Sequence, residues 1–210
     1  MQVLSTNIGS STEVVWRGQT VTTGIFKYPT ESGIQLEHEQ VRSDTIADRK
    51  VHGGVHKACY LFSAHHYPYW KEKYPALEWD WGMLGENLTM DHMEEDRLRI
   101  GSIYRLGTAL VQVTQPREPC FKLGIRFKDQ GILKAFIDHG HPGTYVKVLE
   151  EGTVQKGDHM ELIEESENPL TIQAFYRLLF GREKDSKTLQ HAIANEALPA
   201  YKRERLKKWL

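Results

Sequence analysis

Over the first three quarters of the chain, apolar and β-branched residues come in short runs broken by Gly and Pro, the pattern of strands joined by loops. The clearest run is RLGTALVQVTQP (105–116). Its alternation puts Ala109, Val111 and Val113 on one side of a strand and Leu110, Gln112 and Thr114 on the other. Pro116, with no N–H to give to a ladder, closes it. TYVKVLEEGTVQKGDHMELI (144–163) predicts a further strand pair with turns at Glu151-Gly152 and Gly157-Asp158. Between these runs, SAHHYPYWKEKYP (63–75) reads as a short amphipathic helix interrupted by Pro68, and a second helical piece is predicted near 130–138.

The pattern changes near residue 166. Thr171 is placed to cap IQAFYRLLF (172–180) and Gly181 to stop it. Ser186 can cap TLQHAIANEAL (188–198), and Pro199 fits the first turn of PAYKRERLKKWL (199–210). Three short helices follow one another, each too short to hold in water alone, so they must pack together or onto what precedes them. The expected fold is therefore mainly β (α+β): a β domain with decorating helices over 1–166 and a small three-helix domain over 167–210.

Composition narrows the class. With 210 residues, 40% of them hydrophobic and 26% charged, the chain can bury a sizeable core, which excludes a disordered or fibrous protein. A formal net charge of -1 gives no global attraction to nucleic acid or to a membrane, so neither is an expected partner and recognition must come from local patches. The basic run from Lys202 to Lys208 reads as a solvated outer face. The N-terminal MQVLSTNIGSSTEVVWRG lacks a secretory pattern, and no apolar run reaches bilayer-spanning length. Cytosol is the expected compartment, with Cys59 and Cys120 as two thiols rather than a disulfide.

Three stretches carry chemistry. In TQPREPC (114–120), two prolines fix backbone angles on either side of Arg117 and Glu118, so that the Cys120 sulfur is presented in a defined direction. Arg117, Lys122 and Arg126, close in sequence, would favour the thiolate that attacks or binds metal. Cys59, inside the apolar ACYLF, reads instead as a core residue. In ADRKVHGGVHKACYLF (47–62), Gly53 and Gly54 allow a ligand to approach the backbone, and Arg49, Lys50, His52 and Lys57 add positive charge suited to an anionic group. His52 and His56 have i, i+4 spacing, but the glycines between them argue against a zinc-binding helix. In LGENLT (84–89), Asn87 and Thr89 offer directed amide and hydroxyl groups.

Taken together, KYPTESG (27–33), DTIADRKVHGGVHKA (44–58), LGENLT (84–89), IGSIYRLGTALVQVTQPREPC (100–120) and GTYVKVLEEGTVQKGD (143–158) resemble the MOSC domain, named after the C-terminal domain of molybdenum cofactor sulfurase. The likeness covers roughly residues 20–165, and the C-terminal segment resembles the small helical domain of the YiiM subgroup. The resemblance implies a β-barrel-like fold that binds molybdenum cofactor, with Cys120 as the protein ligand to the metal. By the same match Lys27, Arg49, His52, Gly53, Asn87, Thr89, Thr114 and Arg117 are the candidates for holding the cofactor, Arg49 and Arg117 being best suited to bidentate contacts. Ser102, Lys147 and His56 depart from the family pattern, and His56 puts an imidazole where an acidic residue is usual.

The activity implied for this subgroup is reduction of N-hydroxylated compounds, including hydroxylaminopurine base analogues, to amines, with His52 or His56 as general acid. No cysteine-rich cluster, c-type haem motif or GxGxxG fingerprint occurs in the sequence, so electrons are expected from a separate flavoprotein or iron-sulfur reductase. The alternatives are a cofactor carrier or sulfur-transfer protein without turnover, a metal-independent cysteine hydrolase pairing Cys120 with His52 or His141, and a binding module acting through the basic tail.

Overall fold

Residues 1–47 and 53–210 are described by the computed structural model. In chain order the strands are β1 (Val3–Gly9), β2 (Thr12–Trp16), β3 (Gln19–Thr23), β4 (Lys27–Pro29), β5 (Ile34–Leu36), β6 (Cys59–Ser63), β7 (Leu88–Met90), β8 (Ile103–Leu106), β9 (Ala109–Pro116), β10 (Thr144–Glu150), β11 (Gly152–Val154) and β12 (Met160–Glu164). The α-helices are α1 (Tyr67–Lys73), α2 (Phe121–Arg126), α3 (Ile132–His139), α4 (Ile172–Phe180), α5 (Ser186–Ala194) and α6 (Ala200–Leu206).

One large sheet dominates, with strand order β12-β8-β9-β10-β6-β7-β1-β4. Its neighbours are antiparallel except for β6 and β7. β12, at one end of this order, meets β1 near the other. Gln2 bridges His159, the Val3 N–H donates to the Asp158 carbonyl at 2.9 Å, and the Met160 N–H donates to the Met1 carbonyl at 2.8 Å. These bonds join the start of β1 to the start of β12 and close the sheet into a barrel, which removes an open edge.

The strands predicted over 144–163 are present as β10, β11 and β12, but they do not pair with one another. β10 lies between β9 and β6, β11 pairs with β5, and β12 pairs with β8. The turn at Glu151-Gly152 therefore moves the chain off the sheet instead of folding it back. Pro68 does not interrupt a helix either: it occupies the first turn of α1, where its missing N–H costs nothing. α2 was not visible in the sequence pattern.

β6 shows how the interior is divided. All five of its residues are buried. Cys59 and Leu61 face one apolar cluster, inside the barrel, while Tyr60 and Phe62 face a second, mostly aromatic one with Tyr67, Trp70, Leu123, Phe127 and Phe136 from α1, α2 and α3. Burial pushes the Cys59 thiol pKa far up, so this residue is an inert core thiol.

The C-terminal helices form as expected. The Thr171 hydroxyl accepts from the Ala174 N–H at 3.2 Å and caps α4. α5 is capped by Asp185, one residue before the Ser186 expected there, its carboxylate accepting from the Thr188 N–H at 2.7 Å. Leu170, Ile172, Phe175, Leu178, Leu189, Ala192, Leu198 and Leu206 belong to the same apolar cluster as the barrel strands. The change of element type near residue 166 thus marks no break in the core.

Candidate functional site

The end of β9 sets the direction of the cysteine loop. Tyr145 pairs with Gln115 while Val146 pairs with Val113, which leaves Thr114 as the extra residue of a β-bulge. Its hydroxyl is within reach of the His56 carbonyl at 2.7 Å and the Tyr145 carbonyl at 3.1 Å, so the bulge is fixed from both sides. Beyond Pro116 the chain crosses to Cys120, the extended residue (φ -126°, ψ 166°) immediately before α2.

Both charged residues of the loop are anchored. The Arg117 guanidinium is buried, donates from Nη1 to the Leu84 carbonyl, and lies over the rings of Tyr60 (5.1 Å) and Phe136 (5.6 Å). Burial opposes its charge, yet Tyr60, Tyr145 and the Cys120 sulfur around it raise its pKa. The Glu118 carboxylate forms an ion pair with Lys202 of α6, whose side chain is only 3% exposed. Burial opposes the Glu118 charge as well, but the Lys202 ammonium holds its pKa below the usual value. The basic tail expected on an outer face thus supplies one buried residue, and that residue props the cysteine loop.

Cys120 opens onto a cleft with an empty volume of about 660 Å³, open solvent at its mouth included. Thr23, Gly24, Ile25, Lys27 and residues 44–47 line one part, with Gly53, Lys57, Ala58, Tyr60, Gly85, Asn87, Arg117, Lys122 and Tyr145 around the rest. Among the described lining residues, the cations are Lys27, Lys57, Arg117 and Lys122, set against the single carboxylate of Asp44. Asp44 neutralises Lys27 through a direct ion pair, accepts from Asn87 Nδ2 at 2.9 Å, and accepts from the Gly9 N–H at 2.8 Å. Lys57, Arg117 and Lys122 are the other cations among the described lining residues. Lys57 lies 5.7 Å from the centre of the Tyr145 ring, and its pKa is lowered by burial and then by Lys202.

Of the residues singled out from sequence, Cys120, Arg117, Lys27, Lys57, Lys122, Asn87 and Gly53 line this cleft. Gly53 has φ +81°, and a Cβ there would stand 2.7 Å from Ile46 Cδ1, so any side chain would be strained. The neighbouring Gly54 N–H is engaged with the Glu39 carbonyl at 3.1 Å. Asn87 also accepts from the Tyr60 N–H at 3.2 Å, which ties LGENLT to β6. Thr89 and Thr114 do not line the cleft. The Thr89 hydroxyl donates to the buried Glu86 carboxylate at 2.8 Å, and the Thr114 hydroxyl serves the bulge. Arg126 packs over Phe26 and Tyr28 instead of reaching Cys120. His56 lines an adjoining cleft with Gln115, Pro199 and Tyr201, which shares Gly53 and Lys57 with the first. Burial, followed by Lys147, lowers the His56 pKa, so its ring is neutral at pH 7. His141 is bonded to Glu95 at 3.2 Å and lines neither cleft. Arg49 and His52 lie outside the described residues.

Sequence reasoning did not assign Tyr60, Tyr145 or Asp44 to the cleft. Tyr60 and Tyr145 sit in apolar strand patterns that read as core. Asp44 falls in the quoted DTIADRK stretch, but its role depends on Lys27, Asn87 and Gly9 meeting it from three separate segments.

Comparison with known proteins gives consistent results. The MOSC domain family model matches residues 48–161. Uncharacterized protein YflK of Bacillus subtilis is 35% identical over 196 residues, covering 93% of this chain and 88% of that protein. A Gibberella moniliformis protein named Reductase is 36% identical over 150 residues, 70% of this chain but only 27% of its own length. Protein YiiM of Escherichia coli is 33% identical over 141 residues, 66% of this chain and 63% of that protein. The crystal structure of YiiM from Geobacillus stearothermophilus superposes with a TM-score of 0.81 at 30% identity, covering 99% of this chain and 97% of that one.

Proposed function

The chain belongs to the MOSC domain family, within its YiiM subgroup, and on that premise we propose that it is a molybdenum cofactor-dependent reductase that converts N-hydroxylated compounds, such as hydroxylaminopurine bases, to amines. One observation carries the reading: Cys120 shares a cleft with Arg117, Lys57 and Lys122, and the only described carboxylate among the lining residues is already engaged by Lys27. That donor set suits the cofactor. A soft thiolate matches a thiophilic metal, and Arg117 with the lysines matches a phosphate.

In this reading Cys120 is the metal ligand, and Arg117, Lys57 and Lys122 hold the anionic parts. When bound, the cofactor supplies the two-electron couple that breaks an N–O bond. Converting R–NHOH to R–NH₂ and water also consumes two protons, and these must come through the protein. Lys57 lines both clefts and His56 the adjoining one, so in this reading a neutral His56 ring relays protons from solvent past Lys57. Arg49 and His52 remain proposed cofactor contacts on the ground of resemblance, with His52 a second proton donor. Electrons come from a separate flavoprotein or iron-sulfur reductase. The E. coli and G. stearothermophilus YiiM proteins and the fungal protein named Reductase support the assignment by likeness.

The test is molybdenum and pterin content of protein made in a host competent for cofactor synthesis, with a reduced-dye assay on an N-hydroxylated base. Wild type should carry both and turn over. Cys120→Ser, which replaces the soft donor with a harder oxygen, should lose most of its molybdenum and nearly all turnover. Bound cofactor without turnover would favour the carrier alternative, and turnover by metal-free protein would refute both.

A further inference from the structure

Away from the Cys120 cleft, three segments converge on a second chemical cluster. His66 ends the 3₁₀ turn Ala64–His66 after β6, Glu95 lies in the connection between β7 and β8, and His141 lies between α3 and β10. Glu95 is 2% exposed and positioned at several points. Its Oε1 accepts from the Gly143 N–H at 3.3 Å, and its backbone carbonyl accepts from the Gln173 N–H at 2.9 Å. Its Oε2 faces two imidazoles, with His141 Nδ1 at 3.2 Å and His66 Nε2 at 3.7 Å. The two rings are stacked with centres 4.0 Å apart, and a third, His139, stands 5.2 Å from His66 and 5.1 Å from His141. His139 Nε2 is buried with no hydrogen-bond partner among the described residues.

The geometry points to a divalent transition-metal site of the zinc class, formed by His66, Glu95 and His141, that is separate from the Cys120 cleft. The three donor atoms lie within 4.8 Å of one another. Tetrahedral zinc with bonds of about 2.0–2.1 Å to nitrogen and oxygen places its ligands about 3.3 Å apart. The two measured separations, 3.2 and 3.7 Å, fall on either side of that edge length. The donor set is His₂Glu, a recurrent zinc combination, and its chemistry disfavours the oxygen-seeking Mg²⁺ and Ca²⁺.

The site is sealed on the Glu95 side and accessible at His141, whose side chain is 33% exposed, so water can complete the coordination. None of the three residues lines the cleft that holds Cys120. A bound ion would link the exit of β6, the β7–β8 connection and the α3–β10 connection, which acts as a clamp on the fold independent of the redox site.

The test is equilibrium dialysis of the full-length chain against zinc chloride, in a Cys120→Ser background so that the thiol contributes no donor. One zinc per chain is expected, together with a rise of a few degrees in melting temperature. Adding His141→Ala should weaken zinc binding about tenfold or more, and His66→Gln should do the same. Cobalt(II) bound to the unaltered cluster should give visible absorption bands of a four- or five-coordinate site, which keeps the question decidable if a variant fails to fold. Absence of retained zinc, uptake unchanged by both His variants, or a six-coordinate cobalt spectrum would overturn the site. Because these readouts use neither molybdenum nor turnover, they stand or fall separately from the reductase proposal.

Discussion

The two cysteines show how position decides chemistry. Cys59 lies on the barrel-facing side of β6 and is fully buried, whereas Cys120 stands half-buried in a cleft with Arg117, Lys57 and Lys122. Cys59→Ser should therefore cost roughly 1–3 kcal/mol, the penalty of burying a hydroxyl among apolar side chains, read as a lower midpoint in denaturant, with cofactor content per folded chain unchanged. Glu118 offers a test by pH. Its pKa is lowered in the folded state, so its contribution to stability is present above the ordinary carboxylate value and is lost as pH falls below it. Glu118→Gln should cost about 2 kcal/mol near pH 7, less than a fully buried pair because the carboxylate is 39% exposed. Melting curves of variant and wild type should converge as pH falls below the ordinary carboxylate range. A gap that stays constant would mean that the ion pair with Lys202 does not hold the loop.

At the scale of elements, local signals were accurate where they concerned caps and alternation, and inaccurate where they concerned pairing. The hydroxyl of Thr171 caps α4, and replacing it by alanine should cost about 1 kcal/mol, seen as a reduced melting temperature with cofactor binding retained. β9 alternates as its sequence predicts up to Val113, and then the bulge at Thr114 turns it. No residue in the stretch announces that bulge, because it depends on β10 pairing in a shifted register. The same limit explains β10, β11 and β12. Their turns are plain in the sequence, but each strand finds its partner far away along the chain, in β9 and β6, in β5 and in β8.

For the whole molecule, the closure of the barrel and the attachment of the C-terminal helices decide what can be removed. The side chains of Phe175, Leu178, Leu189 and Leu206 are part of the same cluster as the barrel interior, and Lys202 reaches the cysteine loop. A chain ending at residue 166 would expose that apolar face and leave Glu118 without its ion-pair partner. It should aggregate or lose cooperative unfolding, and it should not bind cofactor. A soluble, cooperatively folding fragment of residues 1–166 with intact cofactor content would show that the helices are an appendage. Among the described residues no helix is long and apolar enough to cross a membrane.

The chain's own order of residues determined the kinds of element, most of their ends, the buried fate of Cys59 and the marked stiffness of TQPREPC, because alternation, capping and proline geometry act over a few neighbouring residues. It also carried the family resemblance. Only the tertiary structure decided that Tyr60 and Tyr145 line the cleft, that Thr89 and Thr114 serve internal networks instead, that Lys202 is buried against Glu118, and that His66, Glu95 and His141 meet. These depend on contacts between segments far apart along the chain, 84 residues in the case of Lys202 and Glu118. Such meetings follow from the barrel's register and closure, which no local pattern encodes.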